Sequence, residues 1–483
     1  MISSFRDPAG CCFDCEGRVL RVVYSDACGD LARLLDLPIT KEFCSKKKLV
    51  ESRALEKTEL QESSIPPEIE PLLNQHADAL LIEHEKIPFT SYAYEWCPAM
   101  LLEAARLTLD LAQAFLEAGY GLKDATPSNI LFRGPTAVFV DLLSFERRDP
   151  HDPIWLPYGQ FLRTFLLPLA LNQTFRMSLA DVFINRRDGV EPNAVYEMCG
   201  FWQRLSRPFL EFVTIPHWLE KSCRTTSSNR YARKALKDPQ RAAFVLNSLF
   251  ERLKRRCANC SMEASRTSLW SNYSNCHRYT SSEMSLKEAF VATALQQTRP
   301  RNVLDVGCNT GQFSFLAAET GALVVSIDSD PAVVESLWLE CQRRQLHILP
   351  LVIDICRPSP GLGWRNQEQS SFLDRAAGRF DLVMALAVIH HLLVSDGIPW
   401  DRLCDMLSVL TNRWVILEFI TAEDPMFQVL VRGRENLFSD WNSDRFEAIC
   451  SHHFQIIRSE ELKPSRRRLY LLEKRSGLNP RRQ

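Results

Sequence analysis

The chain has 483 residues, 46% apolar and 24% charged, with 58 Lys and Arg against 59 Asp and Glu and a formal net charge of −1. That length exceeds one ordinary hydrophobic core, so two to four domains are expected. The balanced charge supplies no overall field toward nucleic acid or an acidic membrane. The N-terminus, MISSFRDPAG, carries charge and proline where a signal peptide needs an apolar core. The longest apolar stretch, FLLPLAL from Phe165, is short for a membrane span and holds a proline. A cytoplasmic protein without nucleic-acid or membrane partners is expected, with its 16 cysteines as free thiols. Cys12/Cys15 and Cys257/Cys260 have C-x-x-C spacing but no nearby His pattern, so no metal site is expected. The basic clusters at Arg466 to Arg468 and at Arg481 read as a solvated end.

Residues 1–190 mix short strand-like runs, RVLRVVY and TAVFVDLL, with apolar helical stretches. In MLLEAARLTLDLAQAFLEAG, Leu101, Ala105, Leu109, Ala112 and Leu116 recur at helical spacing and Gly119 supplies the stop. The aromatic run SYAYEW, Ser91 to Trp96, reads as core. Residues 191–275 read as a helical region and connector. Val245, Leu249 and Leu253 form the expected buried face of a helix, opposite Arg252, Lys254 and Arg255. From 276 to 483, β-branched runs alternate with amphipathic helices: NVLDVG, LVVSID, ILPLVID, FDLVMA and WVILEF. That alternation predicts a mostly parallel sheet with helices on both faces.

In VLDVGCNTGQFS the first strand of this region ends in a glycine turn. Ligands of doubly wound sheets bind at such strand ends, and Gly307 and Gly311 let the backbone come close to one. The spacing is D-x-G-x-x-x-G rather than G-x-G-x-x-G. The carboxylate of Asp305 would repel a pyrophosphate but can pair with an ammonium, which favours S-adenosylmethionine over NAD. Asp328, ending the second strand, can accept two ribose hydroxyls. Asp354, ending the third, lies where an adenine amino group would be, or is a solvated strand-end acid.

With these matches at successive strand ends, residues from about 300 to 420 resemble the Rossmann-like S-adenosylmethionine-dependent methyltransferases. The resemblance implies that Asp305, Gly307, Asn309 and Gly311 line the methionine part and Asp328 the ribose. It places Asp354 and Ile355 around the adenine, and Ala385 or Leu386 against the cofactor from the fourth strand. An oxygen or nitrogen acceptor of high pKa also needs a base. His390 and His391 follow the fourth strand, where a base is useful, although the pair can equally cap the next helix and pack under the cofactor. Glu418 is a second candidate, or a strand-end acid bonded to backbone. No Asn/Asp-Pro-Pro-aromatic signature and no Pro-Cys pair is present, so methylation of DNA bases is not expected. Arg432, Arg434 and Arg467 are candidates for holding an anionic group, or for surface ion pairs. Trp270 and Tyr273 are placed to close over the cofactor, or to pack at a domain joint.

In the first part, GLKDATPSNILF sets Asp124 five residues before Asn129, and Asp141 follows in a strand-like run. A catalytic Asp followed by two metal-binding side chains is the order used in kinase-type phosphoryl transfer. This part resembles a divergent protein-kinase or aminoglycoside-phosphotransferase C-lobe, an α+β region. The resemblance implies Asp124 as base and Asn129 and Asp141 as Mg²⁺ ligands. Lys123 before the Asp, DLLS for D-F-G, and the lack of an evident Gly-rich loop or ATP-binding lysine depart from it. A pseudokinase-like scaffold is the expectation.

The combination, from about Gly17 to Tyr470, is similar to the host-specific nodulation proteins of rhizobia and their bacterial relatives. The resemblance implies a role in the specificity of root nodulation. The expected activity is methylation of a small molecule, a sugar or other glycan-type substrate, or a carrier-bound metabolite. The rivals are an ATP-dependent phosphotransferase and a non-enzymatic interaction protein. No oligomeric state is implied.

Overall fold

The computed structural model describes residues 2–475 apart from 5, 16, 56–65, 68, 77, 224–234 and 261–278. Two compact units are present: Met1–Ala264 with Gly363–Gln369, and Ser265–Leu362 with Ser370–Gln483. The helices of residues 192–259, expected to form a region of their own, are therefore part of the first unit.

The first unit opens with a five-stranded antiparallel sheet of order β1-β2-β3-β5-β4. Its strands are β1 (Ile2–Ser4), β2 (Gly10–Cys15), β3 (Arg18–Val23), β4 (Ser52–Ala54) and β5 (Leu80–His84). Phe13, Leu20, Val22 and Leu81 point to one face and make its core with Leu55 and Ile69. The run RVLRVVY thus forms a strand as its β-branched residues suggest. A 20-residue helix, Pro98–Glu117, follows, with proline in its first turn, where a missing N–H costs nothing. Leu101, Ala105, Leu109 and Ala112 are buried as their spacing predicts, and Gly119, at φ +78°, takes the chain out of the helix. Two short hairpins succeed it: β6 (Tyr120–Leu122) pairs with β9 (Phe145–Arg147), and β7 (Ile130–Arg133) with β8 (Thr136–Phe139). Tyr94 and Trp96 are buried core residues, and the Trp96 indole N–H donates to Ser91. The helix Pro239–Asn259 is set one residue away from its expected face. Ala242, Leu246, Phe250, Leu253 and Cys257 are buried, whereas Val245 is 43% exposed.

The second unit holds a seven-stranded sheet of order β12-β11-β10-β13-β14-β16-β15. In chain order its strands are β10 (Asn302–Val306), β11 (Leu323–Asp328), β12 (Ile348–Val352), β13 (Phe380–Ala385), β14 (Thr411–Phe419), β15 (Phe454–Leu462) and β16 (Arg467–Lys474). The neighbours from β12 through β14 run parallel, and β16 pairs antiparallel with both β14 and β15. This is the mostly parallel sheet read from the sequence. The strand order reverses direction between β10 and β13, which opens a crevice beyond their C-terminal ends. Phe290, Val291, Ala294 and Leu295, from the helix Ser281–Thr298, pack on the sheet against Val303, Val324, Leu382 and Ile416. Each such fully buried Phe, Val, Leu or Ile side chain contributes about 1.5–3 kcal/mol. Among the described residues, no helix is long and apolar enough to cross a membrane.

Candidate active site

The turn after β10 is built on left-handed backbone. Gly307 lies at φ +71°, Asn309 at +48° and Gly311 at +88°. The glycines have a second cause beside ligand approach. A Cβ on Gly307 would sit 3.0 Å from the Val388 side chain, and one on Gly311 would sit 2.2 Å from Leu337. Both glycines therefore let the turn nestle against its own protein: Val388 at the end of the β13 turn, and Leu337 in the helix Pro331–Arg344. Gly311 also opens the helix Gln312–Glu319, whose first backbone N–H groups have no intrahelical partner.

Three acids lie at the ends of neighbouring strands, in different surroundings. Asp305 is 3% exposed and accepts a 2.6 Å bond from the Ser314 hydroxyl, which itself accepts one from Ser326 at 2.8 Å. Burial pushes the Asp305 carboxyl up to about 6, since the Ser314 bond and distant Lys287 compensate it only in part and Asp328 adds a like charge. Asp328 accepts the Asn309 N–H on Oδ2 and the Asp330 N–H on Oδ1, both at 3.0 Å. Burial raises its pKa as well, against those two bonds. Each of its oxygens retains acceptor capacity for a further donor. Asp354 lies just past β12, with Oδ1 accepting the Cys356 N–H at 2.9 Å and Oδ2 facing Arg357 at 3.2 Å. Ile355, Ala385 and Leu386 are buried beside these ends.

Beyond β13, Ala387 takes φ +54° and Ile389–Val394 forms a short helix. His390 is 3% exposed, and neither ring nitrogen has a hydrogen-bond partner among the described residues. Burial holds its pKa well below the usual histidine range, and the positive charges of Arg467 and Lys287 add to the effect, as does His391. His391 packs its ring 4.1 Å from that of His390 and is also lowered by burial, with Asp396 opposing. Both imidazoles are thus neutral near pH 7.

Glu418, near the end of β14, is buried and fully engaged. Oε2 accepts from Lys287 at 2.6 Å, while Oε1 accepts the Tyr279 hydroxyl and lies 3.7 Å from Arg467. Burial works against its charge, but Lys287 and Arg467 outweigh it and hold the carboxyl below its usual range. Such a carboxylate is an anchor for two cations; it is neither a strand-end acid bonded to backbone nor a base with a free oxygen. Arg467 corrects the reading of Arg466 to Arg468 as a solvated end. It is buried, pairs with Asp424 at 2.8 Å and lies 4.5 Å over the Tyr279 ring. Arg432 and Arg434 are exposed, and Arg434 reaches back to the Leu430 carbonyl. Trp270 and Tyr273 lie outside the described residues.

Lys287, Tyr279 and Asp424 were not singled out in the sequence. Lys287 carried a signal, because it falls on the apolar stripe of Phe290, Val291, Ala294 and Leu295, where a lysine needs a buried partner. Tyr279 and Asp424 carried none.

Residues 277–464 match the family described as a methyltransferase domain. This part of the chain is a methyltransferase domain, and the protein is a methyltransferase. The enzyme is 29% identical over 478 residues to the nodulation protein NoeA of Rhizobium meliloti (strain 1021), spanning 98% of this chain and 95% of that one. Over 135 residues, 27% of the enzyme, it is 31% identical to the Escherichia coli O-antigen chain terminator bifunctional methyltransferase/kinase WbdD, of which the match spans 16%. Among solved structures, magnesium protoporphyrin IX methyltransferase (ChlM) from Synechocystis PCC 6803 with bound SAH shares 18% identity at a TM-score of 0.30, over 40% of this chain and 84% of that one.

In the first unit, Asp124, Asn129 and Asp141 are all placed. Asp124 accepts a long 3.4 Å contact from Gln160, whereas Asn129 and Asp141 are joined through Ser144. Arg21, unnoticed in the sequence, pairs with Asp141 at 2.6 Å. An arginine inside the apolar strand run RVLRVV was the available signal.

Proposed function

We propose that the enzyme uses S-adenosylmethionine to methylate an oxygen of a small-molecule, sugar or carrier-bound acceptor. The observation that carries this reading is the set of acids beyond the switch point. Asp305 is buried with a raised pKa and no adjacent cation among the described residues, and Asp328 offers free acceptor positions. That pattern suits a ligand with a cationic end and a diol. Asp305, Gly307, Asn309 and Gly311 would line its methionine part, Asp328 would accept from the ribose, and Asp354, Ile355 and Ala385 would border the adenine. The bound cofactor supplies an electrophilic methyl group on a sulfonium.

The chain's own residues do the rest. His390, held neutral, is ready to take the acceptor's proton as the carbon–oxygen bond forms. A low pKa is no handicap there, because the methylated oxygen gives up its proton readily. Lys287 and Arg467 add to burial and His391 in keeping His390 neutral. Glu418 holds those two cations in place. His391 supports the His390 ring by packing. The similarity to NoeA, named a nodulation protein, supports placing the acceptor in host-specific nodulation, and that to WbdD supports a glycan-type acceptor.

The test is calorimetric titration with S-adenosylmethionine beside Gly307→Arg and Asp328→Ala. Micromolar-range binding that both folded variants lose supports the reading. Absence of binding by folded wild-type protein overturns it.

A further inference from the structure

The residues that the kinase resemblance assigns to Mg²⁺ do not fit a metal. Hard divalent cations bind through several oxygen ligands, carboxylates above all. Each oxygen of the Asp141 carboxylate has a partner, and one of them is a cation: Oδ1 faces the Arg21 guanidinium at 2.6 Å, and Oδ2 accepts the Ser144 hydroxyl at 2.6 Å. Asn129 turns its amide N–H toward the same Ser144 oxygen at 3.0 Å, so Ser144 bridges the two supposed ligands. Among the described residues, no group of three or more His, Cys, Asp or Glu side chains is placed to hold a metal ion.

Arg21 is built into its place. It stands on β3, paired in register with Ile82 of β5, and is 9% exposed. In protein kinases a lysine on the third strand meets the nucleotide phosphates, while the Asp and Asn hold two Mg²⁺. Here the third-strand cation reaches past that role to the acid itself. A guanidinium carries a fixed charge and a planar fork that suits a carboxylate, and as part of the chain it is always present at the site. Burial opposes both charges, and their mutual attraction overcomes it, holding Asp141 below and Arg21 above their usual ranges.

We infer that the Arg21 guanidinium takes the place of the divalent cation at Asp141, so that the kinase-like unit binds no catalytic metal and transfers no phosphoryl group. The claim is independent of the cofactor reading of the second unit.

The experiment measures ATP binding to the full chain by calorimetry, with and without Mn²⁺, for wild type, Arg21→Met, Arg21→Lys and Asp141→Asn. The wild type shows less than a threefold effect of Mn²⁺ on ATP affinity. Arg21→Met, which keeps the buried stem but frees the carboxylate, gains at least a tenfold Mn²⁺-dependent tightening, lost again in Arg21→Met/Asp141→Asn. If Arg21→Met does not fold, Arg21→Lys carries the same test, since a lysine on this strand can meet the nucleotide phosphates and leave Oδ1 of Asp141 to the metal. A wild-type protein whose ATP affinity rises tenfold with Mn²⁺, and loses that rise in Asp141→Asn, overturns the inference. So does a folded Arg21→Met or Arg21→Lys that gains no Mn²⁺ dependence.

Discussion

Each unit buries an aspartate at the place where its fold would meet a ligand, and the two are treated in opposite ways. Asp141 in the first unit has an internal guanidinium 2.6 Å away and is held ionised. Asp305 in the second has only a serine hydroxyl at that distance, and burial lifts its pKa to about 6. A buried carboxylate without a countercharge is costly unless something supplies one. Asp141 is satisfied by its own chain, whereas Asp305 is not, and in the function proposed above a cationic ligand would supply its countercharge. On that proposal the same residue type marks a closed site in one unit and a receptive site in the other.

The largest effect is expected where a buried charge loses its partner. Lys287→Met leaves Glu418 buried with Arg467 at 3.7 Å as its remaining cation, and should cost about 3–5 kcal/mol in urea unfolding. Glu418→Gln/Lys287→Met, which removes both charges, should recover a large part of that loss. Next comes the turn. Gly311→Ala places a methyl group against Leu337 at φ +88°, and should cost about 1–3 kcal/mol, read in the same way.

The comparison itself predicts opposite responses to pH. Burial lifts the folded Asp305 carboxyl to about 6, above the ordinary 3.8, so its share of stability is full below about 4 and is lost as pH rises through about 6. Asp141 is lowered from 3.8, so its share is present above that value and is lost as pH falls through the lower folded pKa. Thermal melts from pH 3 to 7 should therefore show Asp305→Asn removing a decline toward neutral pH and Asp141→Asn removing a decline toward acid. Neighbours on one helix should also separate: Leu246→Ala should cost about 2–5 kcal/mol, and the exposed Val245→Ala, the smallest effect expected, under about 0.5.

Much of the second unit was legible because strand runs, helical stripes and the D-x-G-x-x-x-G turn are local patterns. The crevice acids Asp305, Asp328 and Asp354 fell at strand ends, where the pattern put them. The partners of Glu418 were not legible, since Lys287 and Arg467 lie far away in the chain and meet it only through sheet order and helix packing. Gly307 and Gly311 stood out as places where a ligand could come close to the backbone; their close contacts with Val388 and Leu337 depend on tertiary placement. In the first unit, Asp124, Asn129 and Asp141 stood out by spacing, but the pairing that decides their chemistry comes from Arg21, 120 residues before Asp141. The Val245 face was misread because charges on both sides left the stripe ambiguous by one residue.

The measurement that tests the central claim most directly is titration of the protein with S-adenosylmethionine at pH 5, 6 and 7, in buffers of different ionisation enthalpy. A carboxyl that titrates near 6 and meets a cationic ligand must release its proton on binding, so affinity should rise about tenfold from pH 5 to 7. Proton release should be visible at pH 6 and absent in Asp305→Asn. Binding that is flat with pH and releases no proton in the wild type would contradict the receptive role assigned to Asp305.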